Sequence, residues 1–208
     1  MTKILHIINS LDVGGAEYSL IRVINNSKNF DHKIIILRPG MKLIEKYIKN
    51  KKNILRKFNF TYFNFIYSFI SISKEIKKYN PKVINCWMYH SSVIGGLASK
   101  ISGFNNIVWL VRHNDPKGDF LSFNSRISII LFKFFSNFIP KTIVYNSKTS
   151  FNSHKNYGIN FKIQNLVVNN GYDNIPLKLK DKYDENLLTL ATVTRWHKQK
   201  NHQLLLKS

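Results

Sequence analysis

The sequence predicts an α/β fold: a Rossmann-like parallel sheet flanked by helices, then the first strand and helix of a second Rossmann-like domain. Three observations carry that prediction. Runs rich in β-branched residues recur at helix-length intervals, with helical patterns between them. Several of these runs are apolar throughout rather than alternating, as strands covered on both faces are. Glycines and prolines punctuate the pattern where helices should stop. Repeated strand–helix–strand units need crossovers, and a crossover between sheet neighbours leaves them parallel.

Residues 3–9 form the first expected strand and 16–25 the first helix, followed by a strand at 32–37 and a weaker one at 53–58. A helix at 63–78 ends at Asn80-Pro81, where the proline ring forbids continuation. Residues 82–87 read as a buried strand, 92–101 as a helix stopped by Gly103, and 106–112 as a strand. A strongly apolar helix is expected at 124–138, a strand at 141–146, a helix at 148–157 before Gly158, and a strand at 163–168. The stretch 171–186 has a proline, mixed charge and no period, which reads as an interdomain linker. It separates an N-terminal domain at 1–170 from a segment at 187–208 that reads as a strand, a basic loop and a first helical turn. The chain is therefore expected to stop just as its second domain begins.

At 208 residues, 44% of them hydrophobic, the chain exceeds one typical domain and has ample material for a core. The single cysteine, Cys86, excludes an internal disulfide framework and suits a reducing compartment. The first apolar run is too short for a signal peptide, and none approaches the roughly 20 residues that span a bilayer. The net charge of +21 favours anionic partners, although the codon bias of an AT-rich genome, which enriches Lys, Asn, Ile and Phe together, is the plainer cause. The densest basic run, 42–57, reads as a solvated helix face and loop, or as a surface resting on a membrane, since aromatic residues from Phe58 onward follow it. The basic residues are spread along the chain without a recognised nucleic-acid motif, so no nucleic-acid partner is expected.

Sheets of this kind bind ligands beyond the carboxyl ends of their strands, and four clusters fall there. Gly14-Gly15-Ala16-Glu17 opens the first helix, where close backbone approach and unpaired N–H groups suit a diphosphate; an ordinary glycine turn is the plainer alternative. Asn85 to Ser92 ends a strand, and Ser91 or Ser92 is expected to cap the following helix, whose Gly95-Gly96 permits close packing on the sheet. Within it His90 is suited to a substrate hydroxyl or to a structural hydrogen bond. Val111-Arg112-His113-Asn114-Asp115 places an imidazole among polar groups that bind hydroxyls or handle a proton, unless it is merely a polar loop. Arg195, Lys198 and Lys200 read as a diphosphate clamp or a basic surface loop. No zinc spacing, Asp-x-Asp pair or Gly-x-Ser-x-Gly elbow is present, and Cys86 reads as core.

Taken in order, these segments resemble glycosyltransferase family 4, the retaining, metal-independent enzymes of the two-Rossmann GT-B fold. The matching pieces are the Gly14–Glu17 turn, Trp87 to His90 with Gly95 to Gly103, Val108 to His113, and Ile143 to Ser147. They continue with Leu166 to Asp173, and Thr192–Arg195 with Lys200 to His202.

The resemblance implies a transferase that passes a sugar from a nucleotide-sugar, UDP-linked, to a lipid-linked or glycan acceptor in polysaccharide or lipopolysaccharide assembly. It makes His113 the catalytic histidine beside the transferred sugar. Gly14 and Gly15, with Arg195 and Lys200, would hold the donor diphosphate, the cations standing in for a metal, so that no cofactor is expected. Glu17, His90, Arg112 and Asn114 form the acceptor-side group, and Asn170-Gly171 the hinge turn. The family's donor-binding glutamate pair has no counterpart before Ser208, so the chain is expected to be inactive alone: a truncated product, an incomplete sequence, or half of a split enzyme whose C-terminal half a separate chain supplies. The expected location is cytoplasmic, against the inner face of an anionic membrane. Two other readings remain at this stage: a non-catalytic module that grips an acceptor or a membrane, and a nucleotide-sugar epimerase or dehydrogenase, which the first glycine pattern disfavours.

Overall fold

Seven strands, all parallel, stand in the order β3-β2-β1-β4-β5-β6-β7 in a computed structural model of the chain. The structure describes residues 1–40, 44–61, 64–118, 121–159, 162–171, 191–194 and 201–207. The elements are β1 Thr2–Ile8, α1 Gly15–Asn26, β2 Phe30–Ile36, β3 Ile54–Lys57, α2 Phe65–Tyr79, β4 Val83–Trp87 and α3 Met88–Ile101. They continue with β5 Ile107–Val111, α4 Phe123–Phe135, β6 Thr142–Tyr145, α5 Lys148–Asn156, β7 Gln164–Val167 and α6 His202–Lys207. The expected α/β architecture is the observed one.

Side-chain alternation along the strands divides the core in two. Leu5, Ile7, Ile35 and Leu37 join the cluster under α2, α3 and α4, whereas Ile8, Ile34 and Ile36 join the one under α1. The strand order reverses between β1 and β4: the chain walks outward from β1 to β3, then returns to the other side of β1. Loops leaving β1 and β4 there diverge to opposite faces, and the gap between them is the ligand crevice of such sheets.

The helix stops follow the sequence. Asn80 closes α2 in the left-handed region (φ 50°), and Gly103 and Gly158 do so after α3 and α5 (φ 91° and 84°). Phe104 N–H reaches back to the Ser99 carbonyl, and Ile159 N–H to that of His154, as the Schellman turn requires.

One helix start differs. α3 begins at Met88, four residues before the expected 92, because Met88 itself takes φ 68° and turns the chain from β4 into the helix without a loop. The serines expected to cap it donate backwards instead, Ser91 Oγ to the Trp87 carbonyl and Ser92 Oγ to that of Cys86. His90 consequently lies in the first helical turn. A left-handed conformation costs a non-glycine residue on the order of 1–3 kcal/mol and persists only where the surroundings impose it.

The chain divides into two compact units, Met1–Asn170 and Gly171–Ser208. In the second, Thr194 Oγ1 lies 3.2 Å from His202 Nε2 at the start of α6. Residues 191–194 carry no regular structure, and the rest of the strand expected from 187 lies outside the described residues, as does nearly all of the expected linker.

Candidate functional site

Trp87, the last residue of β4, is fixed by a chain of hydrogen bonds that sets its own direction. An indole N–H can only donate, and it donates to His6 Nδ1 at 3.2 Å. His6 Nε2–H therefore donates to His32 Nδ1 at 3.0 Å, and His32 Nε2–H donates to Ser27. His6 is fully buried; desolvation first, then the neighbouring His32, pushes its pKa down to about 3. Both rings are neutral in this arrangement, and they hold the indole in place.

Over that indole lies Arg112, its Cζ 5.3 Å from the ring centroid. Its Nη1 donates to Asn170 Oδ1 and approaches Ser19 Oγ at 3.5 Å, and Ser19 in turn donates to the Gly15 carbonyl at 2.8 Å. Burial lowers the pKa of the half-buried guanidinium. The structure thus brings together three pieces distant in sequence: the glycine turn, the end of β5 and Asn170.

In the glycine turn the two glycines differ. Gly14 precedes α1 in extended backbone, and a Cβ there would lie 2.3 Å from Glu17 Oε2, so the Glu17 carboxylate is folded over this residue. A Cβ on Gly15 would meet nothing within 4 Å. The open approach to the helix N-terminus is over Gly15, whose carbonyl is linked through Ser19 to Arg112, while the Glu17 carboxylate lies over Gly14. An anion at a helix N-terminus gains from its first N–H groups, and here it would meet the Glu17 carboxylate.

His113 follows Arg112 at the end of β5. Its carbonyl accepts from Ser150 Oγ at 2.7 Å, and its ring stands edge-on to Tyr89, 6.3 Å between centroids. Desolvation lowers its pKa, opposed by a backbone hydrogen bond and the charge of Asp115. A neutral imidazole on the rim can accept a proton or a hydroxyl hydrogen bond at neutral pH. Asn114 is exposed.

His90 lines a different space. A cleft of about 470 Å³ opens beyond the strand ends, its lining mixing polar Asn9, Arg38, His90 and Asn124 with apolar Phe60, Phe65, Ile94 and Ile127. Desolvation, then the nearby charge of Arg38, lowers the His90 pKa. Of the expected acceptor-side residues, the cleft is lined by His90, whereas Arg112 belongs to the glycine turn. Arg195 and Lys200 lie outside the described residues. Among the described residues no three of His, Cys, Asp and Glu converge as metal ligands.

Sequence reading assigns no role to Arg38, Ser19 or His6, and Tyr89 stands in the second cluster without one. His6 carried a signal: a polar residue inside an apolar parallel strand must be satisfied by something beneath the sheet.

No protein-family model and no curated protein matches the sequence. Solved structures match its fold. Anabaena Alr3699/HepE in complex with UDP and glucose superposes with a TM-score of 0.63 at 18% identity, covering 83% of this chain and 45% of that one. The lipopolysaccharide outer core galactosyltransferase WaaB gives 0.55 at 17%, covering 76% and 43%. The UDP-GlcNAc 2-epimerase of Methanocaldococcus jannaschii gives 0.54 at 19%, again covering 76% and 43%. The first unit has the Rossmann-like fold of the part of these GT-B neighbours that it covers. The chain spans less than half the length of these neighbours, and transferases and epimerases share the fold.

Proposed function

We propose that this chain is the acceptor-side half of a retaining glycosyltransferase acting from a UDP-linked sugar onto a lipid-linked or glycan acceptor. The observation that carries the reading is the Gly15–Ser19–Arg112–Asn170 chain at the strand-order reversal, with His113 at its edge and the mixed polar and apolar cleft beside it. Arg112 and the α1 N-terminus would receive donor phosphate oxygens. Arg195 and Lys200 would complete the charge on the leaving diphosphate, where it grows in the transition state. His113 would sit against the transferred sugar and Asn170-Gly171 would act as the hinge. His90 and Arg38 would orient the acceptor in the cleft.

Phosphorus NMR of UDP titrated with the protein tests the reading. Both phosphate resonances are expected to shift, less so with R112A. UDP resonances indifferent to the protein would remove the diphosphate site.

A second reading, epimerisation of the nucleotide-sugar, is favoured by the epimerase among the fold neighbours. Proton NMR of UDP-GlcNAc separates the two: a new UDP-sugar with no acceptor present supports epimerisation.

A further inference from the structure

Helices α2, α3 and α4 lie side by side on one face of the sheet, their inner positions filling the larger core cluster. Their outer positions are apolar as well. On α4, Ile130 is 58% and Phe134 61% exposed, and Phe123 at its start reaches 75%. Ile66 and Tyr67 on the first turn of α2 are 73% and 69% exposed, and Ile101 at the end of α3 is 69%. A surface helix ordinarily turns charged residues outward, and exposed apolar residues gathered on one face mark an interaction site.

The charges on these three helices are basic but for one. α2 ends in Lys74, Lys77 and Lys78, α3 carries Lys100, and α4 carries Arg126 and Lys133. The acid on these three helices is Glu75, which Arg56 holds at 2.6 Å. The basic run before them in sequence is not this surface: Phe58 is buried, and Lys57 pairs with Glu45 at 2.6 Å.

We propose that this face seats the protein on an anionic lipid bilayer. Its apolar side chains would enter the boundary between headgroups and acyl chains, and its lysines and arginine would meet the anionic headgroups. A second copy fits poorly, because it would bring like charge against like in a chain of net charge +21. No helix among the described residues is long and apolar enough to cross a membrane. The surface runs into the cleft, since Phe65 and Ile127 belong to both. A bilayer on this face therefore lies beside the cleft mouth and gives a lipid-linked acceptor a route inward; that route alone rests on the transferase reading.

Vesicle sedimentation of the full chain tests the surface, with phosphatidylcholine alone and with added phosphatidylglycerol, at about 0.15 M salt. Binding is expected to the anionic vesicles, and I130E/F134E is expected to weaken it about tenfold or more. V23E/F30E makes the same charge change at positions 42% exposed on the α1 side of the sheet, and is expected to change binding less than about twofold. Circular dichroism melting checks that both variants fold. Equal loss in the two variants would reduce the effect to net charge and overturn the proposal. Undiminished binding by I130E/F134E would do the same, as would a dimer that this variant splits. No sugar nucleotide enters the assay, so its outcome leaves the transferase reading to its own test.

Discussion

The Tyr89 hydroxyl donates to His154 Nε2 at 2.7 Å in a buried contact that ties the first turn of α3 to α5 across 65 residues of sequence. His154 Nδ1–H donates to the Ser150 carbonyl at 2.7 Å, and the Ser150 hydroxyl donates to the carbonyl of His113 at 2.7 Å. The backbone of the rim histidine is braced from behind by α5.

Y89F removes the donor to His154 Nε2 in a site that is closed to water. An acceptor left unpaired in such a place costs about 1–3 kcal/mol, more than the hydroxyl's own packing. Urea unfolding should show that loss. A midpoint equal to wild type would mean that the contact contributes nothing net.

Acid should weaken the fold through two buried imidazoles. His6 is held at about 3, by desolvation and then by His32. His154 is held at about 4, by desolvation first, with His113 acting the same way and Ser150 and Asp115 opposing. Both folded values lie below the ordinary 6.5, so the unfolded chain binds protons that the folded chain refuses. Their contribution is complete above pH 6.5, declines as pH falls below it, and stops declining only once pH has passed the folded values of about 4 and about 3. Urea midpoints should fall over that range, and H154Q, which has no proton to gain there, should flatten the slope. A slope identical in H154Q would assign the acid sensitivity elsewhere.

The sheet was legible because apolar runs and glycine stops are local signals, and they located every strand of the first unit to within about two residues. The start of α3 was not, because Met88 offers no hint of a left-handed turn; Ser91 and Ser92 resemble caps, and only the β4–α3 packing makes them donate backwards. The clusters were found one at a time, by their place after strands. Their grouping was invisible: Arg112 reads as a neighbour of His113, yet the fold puts it on Trp87, Ser19 and Asn170. Such partnerships follow from strand order, and no spacing in the sequence encodes them.

Gly96 should be intolerant of any side chain. A Cβ there would lie 2.8 Å from Trp109 Nε1 and 2.9 Å from Ile139 Cγ2, and one at Gly95 would lie 2.9 Å from Ile7. These neighbours are buried side chains in a close-packed core and cannot withdraw. G96A should destabilise by about 1–3 kcal/mol despite the better helix propensity of alanine. A thermal midpoint at or above wild type would show that α3 can slide from the sheet.

Gly15 offers the opposite test, because stability and binding should move in opposite directions. Its would-be Cβ meets nothing, and alanine in a helix is favoured over glycine by about 0.5–1 kcal/mol, so G15A should raise the unfolding midpoint. In the proposed site the same methyl would stand where a phosphate approaches the α1 N-terminus. G15A should therefore weaken the UDP titration several-fold while R112K, which keeps the charge but loses the planar fork over Trp87, weakens it with no gain in stability. If G15A stabilises the fold and leaves UDP binding untouched, the glycine turn is a structural turn alone, and the diphosphate must be sought elsewhere on the strand ends.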